Sequence, residues 1–155
     1  ARLPQDLEPG YTTEINLAAL RWVEDLARSP FRGAVYIADY GMDEHELYAP
    51  ERTRGTLRRY LRHQTDDRVL EALGESDLTT HVNFSRMIET AEACGLKQRE
   101  YELQGRFLGR LGLPVLAGLE GRVGGSTQAL LRQYHSLTHP AFMGRSFRVL
   151  MLDKG

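Results

Sequence analysis

The chain has 155 residues, 41% of them hydrophobic, and its 20 Lys and Arg nearly cancel 21 Asp and Glu, leaving a formal charge of -1. That length suits one folded domain with a core and excludes two independent enzyme domains, while the balanced charge excludes a general pull toward nucleic acid or anionic membrane. No apolar run approaches the roughly 20 residues that span a bilayer, and the first residues lack the basic start and apolar block of a secretion signal, so a soluble chain is expected.

The opening segment from Leu3 to Tyr11 contains Pro4, Pro9 and Gly10 and reads as an irregular arm. From Ile15 to Arg28, apolar residues at Ile15, Ala19, Trp22, Val23 and Leu26 recur every three or four positions, which predicts an amphipathic helix stopped by Ser29-Pro30. After Gly33 comes Ala34-Val35-Tyr36-Ile37-Ala38, an apolar run without alternation, and then Asp39-Tyr40-Gly41. Such a run suits a strand covered on both faces in a parallel sheet.

Residues 42–76 show no period and many charges, with Pro50, Gly55 and Gly74 as punctuation; a stretch this long predicts a functional loop or an excursion with small strands of its own. Asn83 is a good N-cap for a helix carrying Phe84, Met87, Ile88, Ala91 and Cys94 on one face, with Gly95 as its stop. Cys94, the single cysteine, is expected to pack there as a small hydrophobe, and its solitude points to a reducing compartment.

Lys97 to Gln104 predicts a polar strand with Tyr101 and Leu103 turned inward, and Phe107 to Leu119 a helix interrupted by Gly109, Gly112 and Pro114. Gly124-Gly125 reads as a hinge, Ser126 as the cap of a helix through Tyr134, His139-Pro140 as a turn and Phe147 to Leu152 as a closing strand. The order predicts an α/β fold, the second half of a doubly wound sheet with flanking helices, occupying residues 1–155 as one unit. Two features suggest that a preceding half is missing: the chain starts at Ala1, and its first strong element is a helix with no strand before it.

Ligands of open α/β sheets bind beyond the carboxyl ends of the strands, which makes Asp39, with Tyr40 and Gly41, a site candidate; a turn-capping Asp39 is the structural alternative. The histidines His45, His63, His81, His135 and His139 match no ligand spacing, and one cysteine builds no thiolate site, so no metal is expected. His63 and His81 flank the irregular segment and are candidates to face a cleft. Arg52, Arg54, Arg58, Arg59 and Arg62 form a basic cluster diluted by Glu51, Asp66 and Asp67, which favours an ion-paired surface over a nucleic-acid site. No glycine-rich phosphate loop and no nucleophile elbow appears.

The blocks Gly10-Tyr11-Thr12-Thr13-Glu14, Ala38-Asp39-Tyr40-Gly41, Gly55 to His63 (Gly-Thr-Leu-Arg-Arg-Tyr-Leu-Arg-His), Asp77 to Phe84 (Asp-Leu-Thr-Thr-His-Val-Asn-Phe) and Met143 to Leu150 resemble, in order, the MidA family of class I methyltransferases. The resemblance runs over nearly the whole chain and corresponds to the carboxyl-terminal half of such an enzyme. It implies an S-adenosylmethionine-dependent methyltransferase, with mitochondrial relatives that resemble protein-arginine methyltransferases assisting respiratory complex I assembly. The strand ending at Asp39 would be the fifth of a seven-stranded sheet, with the last two strands as an antiparallel edge pair.

The cofactor's glycine-rich turn and ribose-holding acid would belong to the other half, so no residue here inherits cofactor binding, and the chain alone is expected to be inactive. Arginine methylation needs a carboxylate to orient the guanidinium, and Glu14 is the first candidate, with a helix-start capping or ion-pairing role as its structural alternative. Asp39 and His81 join it as catalytic candidates, and Tyr40, Gly41 and His63 as substrate-binding ones, with Asp39, Tyr40, Gly41 and His81 expected along one cleft. The expected partner is a protein substrate, in the cytoplasm or a mitochondrial matrix, with an apolar sheet edge that invites a homodimer or the missing half. The competing function is a noncatalytic assembly or binding module that recognises a client through residues 42–76.

Overall fold

The computed structural model describes residues 2–62, 64–119, 121 and 124–155. The chain forms two compact units, Ala1–Phe31 with Tyr40–Leu96 and Arg32–Asp39 with Lys97–Gly155, where length alone predicts one.

The first unit opens with the helix α1 (Leu17–Arg28), one residue pair shorter than its apolar pattern because Asn16, not Glu14, caps it: the Asn16 side chain accepts from the Ala19 N–H at 3.0 Å. Its counterpart α3 (Phe84–Ala93) starts at Asn83, whose side chain accepts from the Arg86 N–H at 3.0 Å, as the sequence predicts. The two helices pack together, and Val23, Phe84, Met87 and Ala91 are buried with Leu47, Tyr48 and Leu96. The strand β1 (Gly33–Met42) ends in this unit, where Gly41 and Met42 pair in parallel with the short β5 (Val82–Asn83). A Cβ at Gly41 would lie 2.5 Å from both the Phe84 ring and the Val82 carbonyl oxygen, so only glycine fits there.

Between these elements, residues 42–76 carry the one-turn helix α2 (Glu44–Leu47) and most of a small antiparallel sheet, β2 (Arg58–Leu61), β3 (Gln64–Asp66) and β4 (Asp77–Thr79), in the order β3-β2-β4. The sheet is pinned by Arg59, only 3% exposed, whose Nε and Nη2 donate to the two Asp66 carboxylate oxygens at 3.0 and 2.6 Å. The hydrogen bonds from Arg59 hold the Asp66 carboxyl far below the usual carboxylate range, and Arg68 adds to them.

In the second unit the first part of β1 lies beside β7 (Phe147–Lys154), which pairs antiparallel with β6 (Lys97–Leu103). Val149, Leu150 and Leu152 of β7 are fully buried, as suits the middle strand of the three. The helix α4 (Gln104–Ala117) runs without a break through Gly109, Gly112 and Pro114, contrary to the interruption expected from those residues. Gly112 has a packing reason, since the Tyr134 ring fills the space a Cβ would take at 2.5 Å. The next helix, α5 (Gly125–Thr138), has Gly124 as its cap and encloses Ser126, so Ser126 does not serve as the predicted cap. With the turn α6 (Met143–Ser146), α4 and α5 converge so closely that Gly105 and Gly144 both face the Thr138 carbonyl.

Two expectations about exposure fail. The β1 strand is not covered on both faces: Ala34, Tyr36, Ala38, Asp39 and Tyr40 are exposed, alternating only in part with half-buried Val35 and Ile37. Cys94 is exposed at the C-cap of α3, because the helix ends before the face that buries Met87 and Ala91 reaches it.

The convergence around Thr138 yields a prediction. Gly144→Ala is expected to lower unfolding stability by about 1–3 kcal/mol, since backbone atoms surround the added methyl, whereas Gly109→Ala, with open space around it, is expected to be neutral or stabilising. Urea denaturation of both variants checks this, and equal midpoints for Gly144→Ala and the parent would contradict the packing described.

Candidate functional site

The site grows from the arm before α1. The Thr12 N–H donates to the Thr53 carbonyl at 2.9 Å, and Thr12 forms an isolated parallel bridge with Arg54, so residues 10–14 run beside residues 53–56. This delivers Glu14 to a ring of donors. Its Oε1 accepts from the Thr56 N–H at 2.8 Å, from the Thr80 hydroxyl at 2.8 Å and from the Thr56 hydroxyl at short range. Oε2 accepts from the Thr56 N–H at 3.1 Å. Gly55 makes this approach possible: it sits at φ 58°, in the left-handed region, and a Cβ there would collide with Glu14 Oε2.

Burial alone would raise the Glu14 carboxyl, but the Thr56 and Thr80 hydroxyls and the Thr56 N–H outweigh it and hold the group below its ordinary value. Glu14 is therefore held as an anion, oriented by neutral donors, and forms no ion pair among the described residues. It lines a cavity of about 340 Å³ with Gly10, Thr12, Thr13, Arg54, Leu57, Asp67 and Val69. In the same wall the Thr13 hydroxyl is buried and has no hydrogen-bond partner among the described residues.

His81 reaches the same cluster through its backbone, whose N–H donates to the Thr56 Oγ1 at 2.9 Å. Its ring meets the Tyr40 ring edge-on with centroids 6.2 Å apart, and Gly41 is paired with neighbouring Val82, so Tyr40, Gly41 and His81 do come together. Asp39 stands in the exposed part of β1 that belongs to the second unit, and mid-strand, since extended backbone continues to Met42. It does not mark the strand's exit. His63 lies outside the described residues. Among the described residues there is no group of three or more potential metal-ligating side chains, and no helix is long and apolar enough to cross a membrane. Thr56 and Thr80 are not marked by the sequence: each stands inside a recognised block, but nothing local marks a hydroxyl whose partner lies 42 or 66 residues away.

The mixed sheet and flanking helices place the chain in the class of methyltransferase-like α/β folds. It superposes with a TM-score of 0.89 on the crystal structure of an uncharacterized protein from Burkholderia thailandensis, at 31% identity over 96% of this chain and 40% of that one. A second structure, a member of the same superfamily from that organism bound to S-adenosyl-homocysteine, gives a TM-score of 0.85 at 31% identity, covering 96% of this chain and 39% of that one. The family model described as "Putative S-adenosyl-L-methionine-dependent methyltransferase" matches residues 1–102, and the chain belongs to that family. It thus spans about two fifths of the length of the solved relatives it matches. No curated protein matches it significantly.

The Glu14 network has a pH signature. A carboxyl with a depressed folded-state value contributes stability that is fully present above its ordinary value of 4.5 and lost as pH falls through the folded-state value. Glu14→Gln is expected to cost about 1–2 kcal/mol at pH 7, the worth of charge-assisted hydrogen bonds reduced by screening at a half-exposed site, with the difference vanishing in acid. Thermal unfolding of both proteins from pH 7 to pH 3 tests this, and a pH-independent gap between them would contradict it.

Proposed function

We propose that this chain forms the acceptor side of an S-adenosylmethionine-dependent methyltransferase that methylates an arginine of a partner protein. One observation carries the reading: the Glu14 carboxylate is held ionised by neutral donors at the wall of a cavity. A planar guanidinium needs such an anion to fix its orientation and to stabilise its charge while one nitrogen is aligned for attack on a methyl group. The depressed pKa makes Glu14 an orienting anion and a weak base, so the proton that leaves the methylated nitrogen passes to water or another acceptor. The Tyr40 and His81 rings, tied to Glu14 through Thr56, offer a surface for the flanking peptide. The MidA resemblance suggests a respiratory complex I assembly client as the partner.

The described residues do not fit the methyl donor itself. The two glycines nearest strand-to-helix passages are filled by protein: Gly41 by the Phe84 ring and Val82 carbonyl, Gly105 by the Thr138 and Gly144 carbonyls. Neither leaves a backbone cradle for a nucleoside-like cofactor. Calorimetric titration of this chain with S-adenosylmethionine is accordingly expected to show no micromolar one-to-one isotherm, and such an isotherm would place the donor site here after all.

The acceptor reading is tested in the native full-length protein with S-adenosylmethionine and arginine-containing peptides, methylation being read by mass spectrometry. Glu14→Gln is expected to lower kcat/KM about 100-fold, in the range of losing an orienting catalytic group, while Thr80→Ala, which removes one of its donors, costs about tenfold. Transfer to lysine in place of arginine, or full activity of Glu14→Gln, would overturn the assignment.

A further inference from the structure

The structure sorts the basic cluster by what each guanidinium holds. Arg59 is buried on Asp66, and Arg54 is paired with Asp67. Arg52 and Arg58 form no ion pair among the described residues. The Arg52 Nε donates to the Glu46 carbonyl at 3.2 Å, and Arg58 donates to the Leu57 and Gly55 carbonyls at 2.7 and 3.4 Å. Both side chains are thereby oriented without having their charge cancelled. Together with Arg54 they line an open cavity of about 440 Å³, whose wall otherwise holds Ala49, Glu51, Thr53 and Gly55. Among the described residues Glu51 is the only carboxylate on that wall, set against the uncancelled guanidiniums of Arg52 and Arg58, while Arg54 is already paired with Asp67.

This cavity adjoins the one that holds Glu14. Arg54 lines both, and Gly55, on the wall of the first, touches the Glu14 carboxylate on the wall of the second. Opposite charges thus stand side by side within one unit: a fixed anion in one depression, and pre-oriented guanidiniums in the next. From this we infer that the Arg52, Arg54 and Arg58 cavity is a carboxylate-binding subsite, which takes an Asp or Glu side chain close in sequence to the target arginine of the protein substrate. The inference rests on the acceptor reading for its choice of occupant. A peptide with an acidic residue beside its arginine meets complementary charge at both depressions, whereas a uniformly basic peptide meets repulsion at the second. Guanidiniums held on backbone carbonyls also lose little freedom when they form the paired hydrogen bonds that a carboxylate accepts.

The test compares arginine peptides that differ only by Glu or Gln at each position within three residues of the arginine, using the native full-length protein with S-adenosylmethionine. At one or more positions Glu is expected to lower KM about tenfold relative to Gln, with kcat changed little, as for a screened charge contact. In Arg58→Gln, and more fully in Arg52→Gln/Arg58→Gln, this preference should shrink to within about twofold. In Arg58→Glu it should reverse in favour of Lys, a gain that a merely unfolded variant does not produce. Equal handling of Glu and Gln peptides at every position by a protein that still methylates arginine overturns the subsite and leaves the acceptor reading standing. If no arginine is methylated, anisotropy of the labelled peptides decides alone: a Glu preference lost in Arg58→Gln sustains the subsite, and equal binding overturns it. An oligonucleotide that binds more tightly than the acidic peptide, and through the same arginines, also overturns it.

Discussion

The carboxylate of Glu14 joins three separated parts of the sequence. Its donors come from the Gly55-Thr56 turn and from Thr80 just past β4, and the Thr56 hydroxyl passes the connection on to the His81 backbone. An anion so placed has two effects. It closes the arm onto the body of the first unit, and it leaves a permanent negative charge at a cavity wall. Neutral donors achieve both because hydroxyls and an amide stabilise the ionised form without cancelling its field, as a lysine or arginine would.

Much of the scaffold was legible from local chemistry. Asn83 caps α3 because a short side-chain acceptor can reach the third residue's amide, and that rule needs no tertiary information. The closing strand β7 announced itself through alternating and clustered apolar residues. What escaped the sequence was decided by packing. The sequence predicts a break in α4 at Pro114, yet the helix continues through it to Ala117, anchored on its earlier turns where Gly105 and Gly112 meet Thr138 and Tyr134. Cys94 fits the helical period but lies one step past the point where α3 ends, so periodicity placed it on a face that no longer exists there.

The site followed the same division. Glu14, Tyr40, Gly41 and His81 were readable because each sits in a block that resembles known methyltransferases, and the structure gathers them in one unit. The strand run was read as ending at Asp39, but pairing with β5 extends it to Met42, which changes what Asp39 is. The arginines between residues 52 and 59 look alike in sequence, and only the hairpin register and the carbonyls within reach separate a buried strut such as Arg59 from half-buried charges such as Arg58. Sequence spacing counts guanidiniums; geometry tells which of them are already spent.

Each unit is assembled from two stretches of chain, and the stretches alternate. On a ribosome this fixes an order of events. Once Leu96 has emerged, every residue of the first unit is available, and its helices α1 and α3 can close on each other. Residues 32–39, made before most of that unit, must wait for β7, which comes far later in the chain. An apolar strand segment held open until β7 is made is the part of this chain on which a chaperone would act, and synonymous changes that alter the pace of translation between residue 96 and β7 would be felt there first.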